Sequence, residues 1–138
     1  MEEELEKTYL MIKPEMVKAG KQGEIIEFIQ KNGFVITNMR QFRFDAERAG
    51  EFYGVHREKP FFKDLVQYIT SGDVVGLRLE KDNAIKLVRE LVGTTDPAQA
   101  SPGTIRYMYG ASLQTNAVHA SDSPESVEKE LAIVFPED

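Results

Sequence analysis

An apolar segment near the start of this chain, Thr8-Tyr9-Leu10-Met11-Ile12, narrows the folds that the sequence can adopt. Successive side chains of a strand point to opposite faces of a sheet, and here the side chains on both faces are largely apolar. That pattern is typical of a central strand. The segment ends at Lys13-Pro14, where Pro14 suits the first position of a short helical turn. We therefore expect a central strand with a lysine at its end.

Changes in hydrophobic period indicate the next two elements. A helix of roughly a dozen residues is predicted after Gly20, and Asn32-Gly33 ends it because the glycine can adopt the left-handed cap conformation. A long strand follows from Phe34 to Phe44. Its alternation changes phase between Thr37 and Gln41, which predicts a β-bulge.

Two short helices and a strand are predicted in the middle of the chain. Asp45 is a suitable N-cap for the first helix, which reaches about Tyr53. Pro60 starts the second helix, and Gly72 closes it. The third strand is indicated by three alternating apolar residues, Val75, Leu77 and Leu79.

The last part of the chain contains a helix, a long loop, a short strand and a final helix. Asp82 is expected to cap the helix, which ends at Gly93. The prolines and glycines of residues 94–116 predict an extended irregular loop, and a loop of about 20 residues in a compact domain is more often functional than idle. Val118 is placed in the short strand, and Ser123-Pro124 opens the final helix.

The resulting order, β-α-β-(α-α)-β-α-β, predicts an α+β fold. It corresponds to a ferredoxin-like α/β sandwich, in which a four-stranded antiparallel sheet is covered by helices and a helical hairpin is inserted after the second strand. We expect the helices to cover one face of the sheet. The chain has 138 residues, enough for its own core, and we assign residues 1–138 to a single domain.

The composition excludes several classes of protein. The chain has no cysteine, so it has no disulfide, no thiolate metal site and no cysteine nucleophile. No apolar run approaches the ~20 residues that span a bilayer. The N-terminal Met1-Glu2-Glu3-Glu4 is acidic where a secretory signal is basic, so we expect a cytoplasmic protein without a membrane partner. A net charge of -6 argues against nucleic-acid binding but is compatible with a small basic pocket for one polyanion.

Of the two histidines, His56 and His119, the second has surroundings that favour catalysis. His119 lies at a predicted strand-to-helix junction, where backbone donors and a helix N-terminus can receive a phosphate. Glu130 lies at the edge of the inward stripe of the last helix, and a buried carboxylate needs a partner such as an imidazole N–H. That bond would fix the tautomer and leave the other nitrogen to attack. The alternative is a structural histidine and a half-exposed Glu130 paired with a lysine.

A histidine that attacks a phosphate needs cations to offset the phosphate charge, and three basic residues are candidates. Lys13 ends the apolar first strand, Arg89 lies on the polar side of its helix, and Arg106 lies in the long loop. Together they could form a clamp, in which one well-placed pair contributes up to ~4 kcal/mol at an effective dielectric constant of 20. Alternatively, each of them is a solvated surface charge.

Aromatic residues provide a candidate platform for a nucleotide base. Phe61 and Phe62 are adjacent on a predicted helix, so both cannot easily point inward, and one of them is available to stack on a base. Stacking contributes ~1–3 kcal/mol and accepts any base. Tyr53 is a further aromatic candidate. No P-loop, dinucleotide-binding fingerprint or protein-kinase motif set is present in the sequence.

Five segments of the sequence resemble motifs of the nucleoside diphosphate kinase family. The most specific is Asn116-Ala117-Val118-His119-Ala120-Ser121-Asp122-Ser123-Pro124, which is similar to the family's active-site signature because several rare residue types occur in the same order. The other four are Met11-Ile12-Lys13-Pro14, Glu58-Lys59-Pro60-Phe61-Phe62, Thr70-Ser71-Gly72 and Pro102-Gly103-Thr104-Ile105-Arg106. The resemblance covers the chain from about Thr8 to Phe135.

The resemblance implies the family's ferredoxin-like fold and its ping-pong reaction. A nucleoside triphosphate gives its γ-phosphate to His119 through Nδ1, and a different nucleoside diphosphate then takes it. Glu130 would bind the other ring nitrogen, and Lys13 and Tyr53 would complete the catalytic set. The remaining implied site residues are Phe61 and Leu65 at the base, Arg89, Thr95, Arg106 and Asn116 at the phosphates or sugar, Ser121 supporting the histidine, and Asp122 near the phosphate-binding groups.

The resemblance also implies the partners of the protein. Its substrates would be nucleoside triphosphates and diphosphates, including ATP, GTP, NDPs and dNDPs, because stacking without base-edge hydrogen bonds separates the bases poorly. Mg²⁺ would arrive bound to the nucleotide phosphates rather than in a protein cage. Family members form hexamers or tetramers built from a common dimer, and we expect a homo-oligomer, with a hexamer favoured over a tetramer.

Three segments of the sequence depart from the family pattern. Tyr107-Met108-Tyr109 stands where the family commonly has Gly-Asp-Phe, Gln114-Thr115 stands where it has Gly-Arg, and Ala120 replaces the glycine after the histidine. The first two lie in or next to the loop that the family uses for subunit contacts, and none is assigned to catalysis. A nucleotide-binding module without turnover is the alternative function. The intact set of site residues favours the enzyme, because a pure binder has no need of a nucleophilic histidine.

Overall fold

The computed structural model describes residues 5–137, so the interpretation of Met1-Glu2-Glu3-Glu4 lies outside the described residues. The strands are β1 (Glu6–Ile12), β2 (Val35–Phe42), β3 (Val74–Lys81) and β4 (Val118–Ala120). The helices are α1 (Pro14–Lys18), α2 (Gln22–Lys31), α3 (Ala46–Phe52), α4 (Phe62–Ile69), α5 (Ala84–Val92), α6 (Ile105–Tyr109) and α7 (Pro124–Val134). None of these helices combines the length and the apolar content that crossing a membrane requires.

The four strands form one antiparallel sheet in the order β2-β3-β1-β4, with the α3–α4 hairpin inserted after β2. This arrangement confirms the predicted α+β fold and its chain order. β1 pairs with β3 on one side and with β4 on the other, so it lies inside the sheet as its sequence predicted. The pairing of Met11 with His119 puts the histidine beside the end of β1.

Helices cover both faces of the sheet, so the prediction of a single covered face was wrong. Tyr9 and Met11 of β1 pack with α3, α4 and α7 on one face. Leu10 and Ile12 pack with α2 and α5 on the other face. All four residues are 0% exposed. The reason lies in β1 itself, because a strand that is apolar on both faces needs apolar cover on both.

Three local predictions are confirmed around β2. The register of β2 against β3 shifts between Ile36 and Asn38, so the bulge is present, at the start of the predicted range of Thr37 to Gln41. Gly33 ends α2 with a φ of 90°. Asp45 caps α3 by accepting a hydrogen bond of 2.8 Å from the backbone N–H of Arg48.

Asp82 does not cap α5, which corrects the prediction. Asn83 precedes the helix in the left-handed conformation, with a φ of 60°, and its side chain makes no capping bond. The carboxylate of Glu6 on β1 instead accepts a hydrogen bond of 2.7 Å from the backbone N–H of Ile85. A cap that comes from a neighbouring strand leaves no signal in the local sequence.

Residues 94–116 are not irregular throughout, which corrects a second prediction. They contain a 3₁₀ turn, Pro97–Gln99, and the short helix α6. Thr104 caps α6 by accepting a hydrogen bond from a backbone N–H of its first turn. A helix of five residues is too short to display a hydrophobic period, so only the glycines and prolines around it were visible in the sequence. A separate correction concerns α4, which was predicted to start at Pro60 and begins two residues later, at Phe62.

Candidate active site

Five of the predicted site residues lie close together, at the ends of two neighbouring strands and on three helices. His119 lies on β4 opposite Met11, and Lys13 follows the last residue of β1 directly. The two side chains therefore belong to the same end of the sheet. The surrounding helices contribute Arg89 from α5, Arg106 from α6 and Glu130 from α7.

A buried carboxylate holds the imidazole of His119. Nε2 of His119 lies 2.7 Å from Oε1 of Glu130, a residue that is only 7% exposed. Oγ of Ser121 donates to the same oxygen at 2.6 Å. Two donors offset the cost of burying the carboxylate. A proton held on Nε2 leaves the lone pair of Nδ1 available for attack.

The ring of His119 also packs against two buried aromatic side chains. Its centroid lies 5.1 Å from that of Phe52, at an interplanar angle of 67°, and 6.3 Å from that of Tyr9. One nitrogen is therefore hydrogen-bonded and the ring is in contact with its neighbours. These restraints fix the position of the imidazole.

Lys13 is buried and hydrogen-bonded to the segment that precedes β4. Its Nζ donates to Oδ1 of Asn116 at 2.7 Å and to the carbonyl oxygen of Gln114 at 3.2 Å. Burial lowers the pKa of Lys13 to about 8, while the negative charge of Glu15 opposes this change and the positive charge of Arg106 adds to it. Lys13 is thus a poorly solvated cation at neutral pH, and an anionic ligand would stabilise its charge.

Two arginines bind the carbonyl groups on either side of His119. Arg106 donates from Nη2 to the carbonyl oxygen of Val118 at 2.9 Å, and Arg89 donates from Nη1 to that of Ala120 at 3.2 Å. Burial, followed by the charge of Arg89, lowers the pKa of Arg106 to about 10. The two guanidinium groups repel each other, and an anion between them would offset that repulsion.

Tyr53 follows α3 and packs beside the same aromatic cluster. Its ring centroid lies 5.1 Å from that of Phe52. Burial, and then the charge of Glu130, raises the pKa of Tyr53, so the phenol stays protonated. Within residues 5–137, neither the buried hydroxyl of Tyr53 nor Nε of Arg106 has a hydrogen-bond partner. Buried donors without partners are costly, and they require an explanation.

Phe61 and Leu65 lie at the start of α4. The side chain of Phe61 is 48% exposed and its ring contacts that of His56, at a centroid distance of 5.4 Å. The adjacent Phe62 packs into the cluster that contains Tyr53, and Leu65 packs against the same cluster. Phe62 therefore points inward and Phe61 outward, so Phe61 is the more exposed of the two aromatic candidates.

Thr95 and Asp122 are exposed residues beside the buried ones. The carbonyl oxygen of Thr95 accepts a hydrogen bond of 3.0 Å from Nδ2 of Asn116. Oδ1 of Asp122 accepts one of 2.7 Å from Oγ of Ser126, and this bond lowers the pKa of Asp122. Thr95 thereby helps to orient Asn116, whereas Asp122 stays ionised at the start of α7.

Three residues that adjoin the predicted site, Glu15, Tyr68 and Ala117, were not predicted from the sequence. Glu15 accepts hydrogen bonds from the backbone N–H of Ala117, at 3.1 Å, and from the hydroxyl of Tyr68. Ala117 has a φ of 77°, which is unusual for an alanine. An acidic residue in the first turn of a helix signals only a favourable interaction with the helix dipole. The sequence carries no signal for a positive φ at an alanine.

Comparison with known proteins assigns this chain to a family. Residues 6–138 match the family model described as nucleoside diphosphate kinase. The chain belongs to the nucleoside diphosphate kinase family. Nucleoside diphosphate kinases are enzymes that transfer phosphate between nucleoside triphosphates and diphosphates, so the family resemblance is confirmed and the enzyme is favoured over a binding module.

Individual relatives agree with the family model along nearly the whole chain. A nucleoside diphosphate kinase of Archaeoglobus fulgidus is 48% identical over 134 residues, which cover 97% of this chain and 89% of the relative. The crystal structure of the Aquifex aeolicus nucleoside diphosphate kinase matches with a TM-score of 0.93, at 44% identity and 96% coverage of both chains. A halophilic member from Halobacterium salinarum, in complex with CDP, gives a TM-score of 0.92 at 40% identity, with coverage of 96% and 88%. The fold implied by the resemblance is therefore confirmed.

Proposed function

We propose that this nucleoside diphosphate kinase transfers the γ-phosphate of a nucleoside triphosphate to a nucleoside diphosphate through a phosphohistidine on His119. The observation that carries the proposal is the 2.7 Å contact between Nε2 of His119 and the buried carboxylate of Glu130. A neutral imidazole whose proton is directed to a carboxylate presents a nucleophilic lone pair at Nδ1. A histidine with a purely structural role needs no such activation.

The transfer consists of two half-reactions. In the first, Nδ1 of His119 attacks the γ-phosphorus, and the N–P bond forms as the bond from phosphorus to the bridging oxygen of the β-phosphate breaks. The nucleoside diphosphate leaves. In the second, a terminal oxygen of another nucleoside diphosphate attacks the phosphohistidine, and the N–P bond breaks. Glu130 offsets the positive charge of the imidazole ring while it carries the phosphoryl group.

Three cations offset the charge of the phosphates. Lys13, Arg89 and Arg106 surround the strand that carries His119, and each is held by hydrogen bonds that fix its position. The unpartnered Nε of Arg106 and hydroxyl of Tyr53 are donors that a phosphate oxygen would satisfy. We also assign phosphate or sugar contacts to Thr95 and Asn116, and we place Asp122 near the phosphates. Ser121 is assigned to the support of His119, through its hydrogen bond with Glu130.

The exposed ring of Phe61 is the platform that we assign to the nucleotide base, with Leu65 beside it. Stacking contributes ~1–3 kcal/mol whichever base is bound, because every base has a π-face. This contact supports a broad substrate range that includes ATP, GTP, NDPs and dNDPs. The CDP complex of the Halobacterium salinarum relative is in keeping with a pyrimidine among these substrates.

We propose that Mg²⁺ enters the site on the nucleotide phosphates. No three His, Cys, Asp or Glu side chains of residues 5–137 are grouped so that they could hold a metal ion. Phosphate oxygens, in contrast, are ligands that Mg²⁺ prefers. When bound, the ion neutralises part of the phosphate charge, and the chain's own cations act on the remainder.

Steady-state kinetics test the two-step transfer. With ATP as donor and GDP or CDP as acceptor, double-reciprocal plots at several fixed acceptor concentrations should be parallel, because the first product leaves before the second substrate binds. Intersecting lines would mean direct transfer in a ternary complex. The His56→Ala variant, which removes the other histidine, is the matched control and should retain parallel lines.

We also propose that the protein is a homo-oligomer, with a hexamer favoured over a tetramer. The edge strand β2 supports this proposal, since it pairs only with β3 and leaves the side chains of Val35 and Met39 each 55% exposed. Light scattering should give a native mass six times that of the 15.6 kDa chain, or four times for a tetramer. A monomer at micromolar concentration would contradict the proposal.

We further propose one domain spanning residues 1–138 and a cytoplasmic location. The two hydrophobic clusters pack on opposite faces of the same sheet, which supports a single cooperative unit. The absence of cysteine is suited to a reducing compartment, where disulfides have no role. We expect one unfolding transition in calorimetry, and two separated transitions would contradict the single domain.

A further inference from the structure

Glu15, in the first turn of α1, connects three elements of the site. Its Oε2 accepts the hydrogen bond of 3.1 Å from the backbone N–H of Ala117, which precedes β4. Its Oε1 accepts the hydrogen bond from the hydroxyl of Tyr68 on α4. Both carboxylate oxygens are therefore directed at other elements. A carboxylate that served only the dipole of its own helix would face the N–H groups of that helix.

The contact of Glu15 with Ala117 lies within a strained turn. Ala117 has a φ of 77°, and the N–H of Val118 donates to the carbonyl oxygen of Asn116 at 3.0 Å, so the three residues form a γ-turn. The backbone N–H of Lys13 donates to the carbonyl oxygen of Ala117 at 2.9 Å. Strained backbone persists only where its surroundings hold it. Here the carboxylate of Glu15 binds the N–H of Ala117, and the backbone N–H of Lys13 binds the carbonyl oxygen of the same residue.

This turn determines where two functional side chains lie. Asn116, its first residue, accepts the hydrogen bond from Nζ of Lys13 at 2.7 Å. His119 follows the turn by one residue on β4. A change in the turn would therefore displace the nucleophile relative to the lysine. Displacements of about 1 Å are enough to slow an enzymatic reaction substantially.

We propose that Glu15 is a positioning residue for the phosphoryl transfer: it fixes the γ-turn that leads to His119 and places a negative charge beside Lys13. The proposal rests on the function proposed above. Tyr68 is the partner that orients the carboxylate, and its ring lies 5.8 Å from Nζ of Lys13. Glu15 thus acts on both the nucleophile and the cation without contact with the reacting atoms.

The charge of Glu15 acts on Lys13 against two opposing influences. The ionisable groups that face this lysine are Glu15, Arg106 on α6 and the phenol of Tyr68 on α4. Burial and Arg106 disfavour the ammonium form, and Glu15 favours it. Loss of a nearby opposite charge lowers a lysine pKa by about one pH unit or more. Without Glu15, Lys13 should lose its proton closer to neutral pH.

The test compares Glu15→Gln and Tyr68→Phe with the matched control Glu24→Gln. Glu24 also accepts a hydrogen bond from a tyrosine, Tyr109, at 3.2 Å, but on the exposed surface. The first readout is the titration of Lys13 in the intact protein, followed by NMR of labelled lysine side chains and assigned with Lys13→Gln. The second is the pH profile of single-turnover phosphorylation by ATP.

We expect Glu15→Gln to lower the fraction of protonated Lys13 at pH 8 about fivefold, since its midpoint moves down by about one pH unit. Phosphorylation at pH 8 should slow by a similar factor, and the deficit should narrow towards pH 6. Tyr68→Phe should slow phosphorylation at every pH with a smaller change in the lysine titration. Glu24→Gln should match the wild type in both measurements. Glu15→Asp retains the negative charge, so the titration midpoint of its Lys13 should lie close to that of the wild type.

An unchanged Lys13 titration in Glu15→Gln would overturn the proposed electrostatic role. A rate deficit that is equal at every pH, and that Glu15→Asp does not reduce, would indicate a structural role alone and would overturn it as well. If Glu15→Gln does not fold, Tyr68→Phe and Glu15→Asp decide, because Tyr68→Phe removes one of the two partners of the carboxylate and Glu15→Asp keeps the charge on a shorter side chain. Unchanged phosphorylation rates in both variants would overturn the proposal. Failure of the proposed function is distinct, since the wild type would then take up no phosphoryl group while its Lys13 titration could still be measured.

Discussion

At the scale of single residues, the two hydrogen bonds to Oε1 of Glu130 matter most for the chemistry. Nε2 of His119 and Oγ of Ser121 reach this oxygen at 2.7 and 2.6 Å, and the carboxylate is nearly excluded from solvent. In such surroundings a charge–charge interaction is stronger than in water. The carboxylate is therefore well placed to stabilise positive charge on the imidazole when Nδ1 bonds to phosphorus.

Replacing Glu130 with glutamine should slow the transfer and leave nucleotide binding largely intact. Glutamine retains an acceptor oxygen but loses the charge, and hydrogen bonds to charged groups contribute ~1.5–3 kcal/mol. That range corresponds to a rate reduction of about ten- to a hundredfold. Single-turnover phosphorylation gives the rate, and calorimetric titration with ADP gives the affinity. If affinity fell as much as rate, the histidine-orienting role of Glu130 would be wrong.

Nucleotide affinity should decrease as the pH rises above about 8, because Lys13 then loses its proton. Burial lowers the pKa of Lys13 in the unliganded protein to about 8. A bound phosphate favours the ammonium form and raises this pKa, so binding above pH 8 requires uptake of a proton. The dissociation constant for ADP should then increase by up to about tenfold per pH unit. The Lys13→Gln variant should bind ADP more weakly, with a dissociation constant that does not change with pH. A wild-type dissociation constant that stays constant from about pH 7.5 to 9.5 would contradict the assignment of Lys13 to phosphate binding.

The residue types of the site could be predicted from the sequence, but most of their contacts could not. Helical periodicity placed Glu130 at a buried edge, yet it could not identify the partner, since a helix face does not report what lies opposite to it. The family resemblance supplied His119 as that partner. Glu15 and Ala117 carried no comparable signal, because their roles depend on a backbone turn beside the β1–β4 pairing, in which residues far apart in the sequence meet.

At the scale of elements, α6 determines where Arg106 lies. Thr104 caps this helix, and Nη1 of Arg106 donates to the carbonyl oxygen of Gly93 at 3.1 Å, at the end of α5. Gly93 has a φ of 95°, and a Cβ at this position would lie 2.7 Å from Oγ1 of Thr104. Close packing between the end of α5 and the start of α6 therefore holds the arginine beside β4.

The Gly93→Ala variant should lose both stability and nucleotide affinity. The substitution introduces a side chain at a positive φ, which costs ~1–2 kcal/mol, and a clash that costs ~1–3 kcal/mol more. Displacement of Thr104 would also move Arg106. Gly20→Ala is the matched control, because Gly20 has a φ of 72° and a Cβ there meets no atom within 4 Å. Urea unfolding should show a larger loss of stability in Gly93→Ala than in Gly20→Ala. ADP titration should show a loss of affinity in Gly93→Ala alone. Equal effects of the two substitutions would argue against the packing role of Gly93.

The elements with clear periodicity were predicted, and those defined by distant contacts were not. The bulge in β2 and the cap at Asp45 follow from residues adjacent in sequence. Glu6 replaces Asp82 as the cap of α5 because β1 lies against the start of that helix, a contact between residues 79 positions apart. Short-range patterns carry no information about such contacts.

At the scale of the whole molecule, the double-sided apolar character of β1 accounts for the architecture. Its alternate residues enter two hydrophobic clusters, and helices therefore cover both faces of the sheet. Because β1 is central, its end is next to β4 on one edge, and Lys13 and His119 meet there. The chain order of the elements was predictable from the sequence, and the apolar residues on both faces of β1 already required cover on both faces of the sheet. Which helix lies on which face was not predictable, because that depends on how the connections cross the sheet.

The most direct test of the phosphohistidine mechanism is to incubate the protein with γ-labelled ATP and Mg²⁺ and then to remove the nucleotide. We predict a protein-bound label that is acid-labile and base-stable, as expected for a phosphorylated histidine. It should be absent from His119→Ala, retained in His56→Ala and discharged to GTP when GDP is added. A wild-type protein without label, or a His119→Ala variant that carries it, would contradict the proposed mechanism.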